Sequence, residues 1–300
     1  MTLYNQIDDN KRRSWFIMLA FIAIVGLLGY IFGQALNYGY SLFVFAIIFA
    51  TLSTIFSYYF SDQISLAITG AQEVTRQQEP RLFRTVENLS IGAGLVPMPK
   101  VYIIEDPALN AFATGRDPKH SAVAVTRGLL NRLDDLELEG VLAHELSHIK
   151  NFDSRTMTIA VVLVGIVALV SEWFMRMQFF GGSRDRNNRD SSGLMMILAI
   201  IGAILAPIFA QLLKFALSRQ REFLADASGA LLTRYPEGLA RALEILKDDH
   251  TPLQRANSAT AHLYIENPLE DRRGSKISML FSTHPSVDDR IKRLRIMEKV

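Results

Sequence analysis

The sequence predicts a mainly α-helical integral membrane protein, with four transmembrane helices and a cytoplasmic α+β domain built around a small sheet. Two observations lead there. The first is where charge is missing. Uncharged runs of 48, 16 and 23 residues follow Arg13, Arg155 and Asp190, 87 residues in all. The 62 Asp, Glu, Lys and Arg residues are confined to the other 213, about 29% of that remainder against 21% of the whole chain. The second is that the charged remainder mixes short β-branched runs with helical ones. A net charge of +2 gives no sign of nucleic-acid binding. The absence of cysteine excludes a disulfide scaffold, a thiolate metal site and a thiol nucleophile.

A helix crossing the hydrocarbon core needs about 20 apolar residues. The first run holds two, Ser14–Gly33 and Ser41–Phe60, with Gln34–Tyr40 as the hairpin. Its length, and a second span directly after it, argue against a cleaved signal peptide. Met157–Met175 is the third segment. Glu172 trims its uncharged core to 16 residues, so a shallow or protein-shielded hairpin is the alternative there. Gly193–Leu213, or on to about residue 217, is the fourth, with Pro207 as a tolerated kink. Trp15, Trp173, Tyr30, Tyr38, Tyr40, Tyr58 and Tyr59 lie near segment ends, as interfacial aromatics do.

Lys11, Arg12 and Arg13 before the first span put the N-terminus in the cytoplasm. Against this, the loop 176–192 carries Arg176, Arg184, Arg186 and Arg189, partly offset by Asp185 and Asp190. The first span takes precedence. The chain then divides into an N-terminal hairpin (1–61), a first cytoplasmic part (62–156), a second hairpin (157–217) and a second cytoplasmic part (218–300).

Within the first cytoplasmic part, Glu79-Pro80 opens a helix to about Leu89, with proline at a permitted first-turn position. Gly92–Lys100 is a loop. Val101–Glu105, Asn110–Gly115 and Ala122–Thr126 read as short strands. Asp134 and Glu137 form a capping-box pattern that starts a helix from Asp135 to about Lys150. In the last part, Pro236–Lys247 and Val287–Glu298 are the clearest helices.

The capped helix contains His144-Glu145-Leu146-Ser147-His148. Residues i and i+4 share a helical face, so both imidazoles can reach one ion. Zinc suits imidazole, and a catalytic zinc takes three protein ligands plus a water. Glu145 can approach that water as general base. Chance gives this motif in 300 residues less than about 1% of the time. For the third ligand, His120, His250, His262 and His284 remain, with Glu222 as the carboxylate candidate. Glu222 and Asp226 are again i, i+4, so Asp226 could hold a ligand imidazole by its other nitrogen. A charged face pairing with Arg219 and Arg221 is the plainer reading of that segment. Span geometry favours Glu222. It and His148 each lie nine residues from a span end, so helices continuing out of the membrane put both roughly 13 Å beyond it.

With these residues, the chain resembles the HtpX family of integral-membrane zinc metalloproteases, gluzincins related to the Ste24-type CAAX proteases. The resemblance covers nearly the whole chain. It rests on Asn110–Gly115 (NAFATG), Val141–His148 (VLAHELSH), Glu222–Asp226 (EFLAD) and Thr283–Arg290 (THPSVDDR), in that order between matching hydrophobic spans. It implies a gluzincin-like metalloprotease domain with one zinc ion per chain on His144, His148 and Glu222, and Glu145 as base. Asn110, Ala111, Phe112 and Ala113 become the substrate-binding edge strand, to which an extended peptide adds by backbone hydrogen bonds. A core strand and turn is the plain alternative for NAFATG.

By the same resemblance His284 stands near the metal as a catalytic residue, stabilising the oxyanion or covering the zinc in a latent state, with Arg290 in support. Otherwise it is a turn before a cap at Ser286. Asp153 is a further supporting residue. Phe152 stands where relatives often carry a small residue. The resemblance also implies an inner-membrane, multi-pass protease with its active site facing the cytoplasm. Such an enzyme cleaves misfolded or damaged membrane proteins and unfolded polypeptides, as part of quality control and the stress response, and risks cleaving itself. Two competitors remain. Intramembrane proteolysis is opposed by Asp134, Asp135, Glu137, Glu139, Lys150 and Asp153 around the motif. A multi-span transporter or sensor with a structural zinc is opposed by the absence of paired intramembrane charges in the spans, and structural zinc sites are usually closed with four ligands.

Overall fold

The structure, a computed structural model, describes residues 3–35, 38–180, 219–249, 251–254, 264–265 and 285–298. The fourth apolar segment and His250, His262 and His284 lie outside these residues. Helix α1 (Leu3–Ala35) and α2 (Ser41–Thr69) form an antiparallel hairpin. Their backbones approach closely at Gly29, where a Cβ would meet Ala46 Cβ at 2.4 Å and the Leu42 carbonyl at 2.9 Å. Both helices are long and apolar enough to cross a membrane, α1 over Ile7–Ile31. Phe16, Leu19, Leu27, Phe45, Ile48 and Leu52 are exposed along them. An apolar patch of that extent on a folded surface marks contact with something other than water.

The sheet is four-stranded, in the order β1 (Gln72–Glu73), β2 (Lys100–Ile104), β4 (His120–Thr126), β3 (Ala111–Asp117). β2 and β4 are parallel, with Val101 opposite Val123, and the other two pairings are antiparallel. The chain passes from β2 to the far edge, makes β3, and returns as β4 through a tight turn. β3 is therefore an edge strand. Before the sheet's second strand comes α3 (Pro80–Ala93), closed by Gly94 at φ 70°. After β4 come α4 (Arg127–Arg132) and α5 (Asp135–Lys150).

Helix α5 is the centre of the domain. Its capping box forms as the sequence pattern requires: the Asp134 carboxylate accepts from the Glu137 N–H, and Glu137 reaches back to the Asp134 N–H. All residues from Glu137 to Ile149 except Glu139 are buried. Leu138, Leu142 and Leu146 join Leu82, Val86, Val123 and Val125 in one core with α8 (Pro236–Asp248). Helix α7 (Arg219–Thr233) lies against α5 so closely at Gly229 that a Cβ there would stand 3.0 Å from the His144 backbone nitrogen. The last helix, α9 (Val287–Met297), is capped by the Ser286 hydroxyl and packs on α8.

The third apolar segment is helical, as part of α6 (Asp153–Phe180). It does not continue from α5, however. The chain turns at Asn151 and at Phe152, which takes the left-handed φ of 61°. His148 thus belongs to a separate helix, and the straight-helix estimate of its height above the third span does not hold. α6 packs into the hairpin, with Ile159, Ala160 and Leu163 against Ile17, Met18, Phe21 and Ala50.

Candidate active site

Helix periodicity on α5 and proximity of α7 bring three side chains together. One nitrogen each from His144 and His148 and one oxygen of Glu222 lie within 4.8 Å of one another, all buried. The two Nε2 atoms are 3.1 Å apart, and each is 3.7 Å from a Glu222 oxygen. Each ring is held from behind. His144 Nδ1 is 2.9 Å from Asp226 Oδ1, and His148 Nδ1 is 3.3 Å from Asp153 Oδ2. A carboxylate only accepts, so each Nδ1 carries a hydrogen, and with the rings neutral, as metal ligation requires, each Nε2 turns a lone pair inward. Two lone pairs and a carboxylate facing one space repel one another unless a cation sits among them. For tetrahedral zinc with Zn–N of about 2.0–2.1 Å, the nitrogens would stand about 3.3 Å apart, close to the separation found. The donor set therefore fits a divalent metal of the zinc type.

Asp226 is itself anchored. Arg290 donates to both its oxygens, at 2.7 and 2.9 Å, and lies 3.9 Å from Glu222. Burial disfavours the charge on Asp226, but Arg290 and His144 outweigh it and hold the carboxyl below the usual range. Burial pulls His144 down to about 4, with Arg290 adding to the effect. For His148 burial acts the same way, but Glu222 and Asp153 prevail and raise it to about 9. Burial pushes the Glu145 carboxyl up to about 8, assisted by Glu222 and opposed by His148, Arg290 and a hydrogen bond from the Ala113 N–H.

That last bond ties the edge strand to the site. In β3, Phe112 and Thr114 face one way, and Ala111 and Ala113 the other. Ala111 and Ala113 sit in the α5 core, whereas Phe112 packs edge-on against Tyr264 with ring centroids 5.2 Å apart. The outward-facing Ala111 carbonyl accepts a hydrogen bond from the Ile265 N–H at 3.0 Å. Asn110 precedes the strand and is tied to Thr126 through its backbone N–H and carbonyl. Tyr264 and Ile265, with Ala113, Ser154, Met157 and the four motif side chains, enclose a cavity of about 10 Å³, on the order of one water.

The structure thus unites His144, Glu145, His148, Glu222, Asp226, Asp153, Arg290 and the Ala111–Ala113 strand, while His284 lies outside the described residues. His120 is remote: it is exposed and paired with Asp117 in the β3–β4 turn. Arg290 contacts Asp226, the His144 ring and the Ile265 carbonyl, and its expected support of His284 falls outside the described residues. Reasoning from sequence missed Tyr264, Ile265 and Asn10, whose side-chain amide reaches Asp153.

Comparison with known proteins agrees with this geometry. The description of Peptidase family M48 matches residues 76–298, a stretch that includes every ligand candidate. The chain belongs to peptidase family M48. Within that family it is 48% identical over 300 residues to the "Protease HtpX homolog" of Dictyoglomus thermophilum, covering 99% of this chain and 95% of the relative. It is 47% identical to the protein of the same description from Tropheryma whipplei, with 98% of each chain covered. The crystal structure of S. mikatae Ste24p shares the fold, with a TM-score of 0.52 at 16% identity over 97% of this chain and 67% of that one. This M48 member is a membrane metalloprotease. The transporter or sensor reading has no support in these relationships.

Proposed function

We propose that the protein is a zinc-dependent endopeptidase of the inner, cytoplasmic membrane. On this reading it crosses four times, with α6 and the segment around 193–217 as the second hairpin, and its active site faces the cytoplasm. Its substrates are misfolded or damaged membrane proteins and other unfolded polypeptides, cleaved in quality control and the stress response. The observation that carries the reading is the inward-facing triad of two Nε2 atoms and the Glu222 carboxylate, with Glu145 beside it.

His144, His148 and Glu222 would hold the zinc, which would supply polarisation of the scissile carbonyl and acidification of water. Glu145 takes a proton from the attacking water on its carboxylate and passes it to the leaving nitrogen. Asp226 and Asp153 keep the two imidazoles in one tautomer and orientation. The β3 edge binds an extended peptide through main-chain groups, which suits substrates of many sequences. His284 is the remaining candidate for steadying the oxyanion. The deciding experiment is a chelator-controlled casein assay with metal analysis. Glu145→Ala keeps zinc and loses activity, and His144→Ala loses both. Cleavage by purified Glu145→Ala at the wild-type rate would show the mechanism to be wrong.

A further inference from the structure

We propose that Asn10, on the first membrane helix, is a positioning residue for the metal site, acting through Asp153 on His148; this rests on the metal-site reading above. The Asn10 Nδ2 donates at 2.6 Å to Asp153 Oδ1 and at 2.9 Å to the Asn151 carbonyl. It so uses both its hydrogens, one on the carboxylate behind a ligand and one on the residue that ends the ligand-bearing helix. Asn10 and Asp153 are both buried, at 3% and 0% exposure.

A carboxylate can rotate, and only one oxygen of Asp153 serves His148. Pinning Oδ1 from α1 leaves Oδ2 aimed at the imidazole. Arg221 Nε also lies near Oδ1, at 3.6 Å, a longer and looser contact. An amide suits position 10 because it donates without charge. An acid there would face Asp153 with like sign. Its neighbours hold the same joint. Ser14 and Thr156 share a hydrogen bond at 2.8 Å, and the Lys11 ammonium lies 4.6 Å over the Phe152 ring. The clamp closes on the left-handed turn at Phe152, a conformation that persists only where its surroundings hold it. The anchor helix is in this sense part of the catalytic centre, and the soluble domain alone would lack one side of it.

The test uses the full-length chain in detergent, with Glu145→Ala to prevent self-cleavage, and zinc affinity measured by chelator competition. Asn10→Leu weakens zinc about tenfold, the lower end for partners behind a ligand histidine. Met18→Ala, which loosens α1–α6 packing about two turns further along α1 without touching Asn10 or Asp153, leaves affinity unchanged. In an Asp153→Ala background, Asn10→Leu has no further effect. Asn10→Ser, a milder change that is too short to reach Asp153, is read the same way should the leucine variant not fold. Parental affinity in the Asn10 variants, equal loss in Met18→Ala, or multiplying effects with Asp153→Ala would each overturn the proposal. If the parent itself bound no more zinc than His144→Ala, the metal-site reading would fall and this inference with it.

Discussion

Asp226→Ala separates two jobs that one carboxylate performs. The substitution removes both hydrogen bonds from Arg290 and the one from His144. Arg290 is then left 1% exposed, with Glu222 at 3.9 Å, the Ile265 carbonyl at 3.3 Å and the His144 ring nitrogens at 3.3 and 3.4 Å as its remaining neighbours. Breaking a buried pair by removing one member costs about 3–5 kcal/mol. Three charge-assisted hydrogen bonds at about 1.5–3 kcal/mol each would set a higher figure. The lower range is expected because Glu222 can move toward the stranded guanidinium. That movement draws a ligand away from the metal. Loss of the His144 partner alone weakens metal binding about 10- to 100-fold, or about 1.4–2.7 kcal/mol. Adding Arg290→Met removes the uncompensated charge, and apolar replacement of a buried pair is close to neutral. The double variant therefore regains most of the stability and the affinity lost through Glu222, but keeps the loss that comes from the missing His144 partner. Denaturant unfolding in detergent and chelator competition, both with Glu145→Ala, read the two effects. A single variant losing under about 1 kcal/mol, or a double variant with parental metal affinity, would refute the reasoning.

Glu145→Gln should lower peptidase turnover by at least about 10²- to 10⁴-fold while leaving zinc content at the wild-type level, checked by single-turnover assay and metal analysis. After chelation, the protein should lose stability as pH rises. His148 is raised from 6.5 to about 9 and Glu145 from 4.5 to about 8. Stability from a raised group is complete below its unfolded value and is lost through the folded one, so the decline runs from about pH 4.5 to 9. His144, lowered to about 4, works against this only between that pH and 6.5. A flat unfolding profile from pH 7 to 9 would contradict the expectation. Gly229→Ala places a methyl 3.0 Å from the His144 nitrogen, where backbone has to yield. A loss of about 1–3 kcal/mol in denaturant unfolding is expected. Unchanged stability would mean that α5 and α7 separate easily.

The parts of the site legible in the sequence are those written in local spacing. His144 and His148, like Glu222 and Asp226, are four apart, and the capping box names the start of α5 within one residue. What spacing cannot convey is a partner far along the chain. Asn10 meets Asp153 across 143 residues, and Ile265 reaches Ala111 across a comparable gap. Neither residue is of a type that draws notice by itself. The break between α5 and α6 was hidden for another reason. No glycine or proline marks it, and the left-handed residue is phenylalanine, held by surrounding contacts rather than by its own preference. The sheet order was also beyond reach, since the parallel β2–β4 pair forms around an intervening strand.

Where β3 takes substrate as proposed above, the hydrogen bond from Ile265 to Ala111 makes this protein a competitor of its own substrates. A peptide adding to β3 has to wait for that carbonyl to be released, so its apparent affinity is the intrinsic affinity scaled by the fraction of molecules in which the edge is free. A polypeptide with many extended segments offers the edge many attempts, whereas a folded protein offers few. The selectivity of such a protease then reflects how much unfolded chain is presented, with little dependence on sequence. An edge closed in this way also protects folded neighbours in the same membrane.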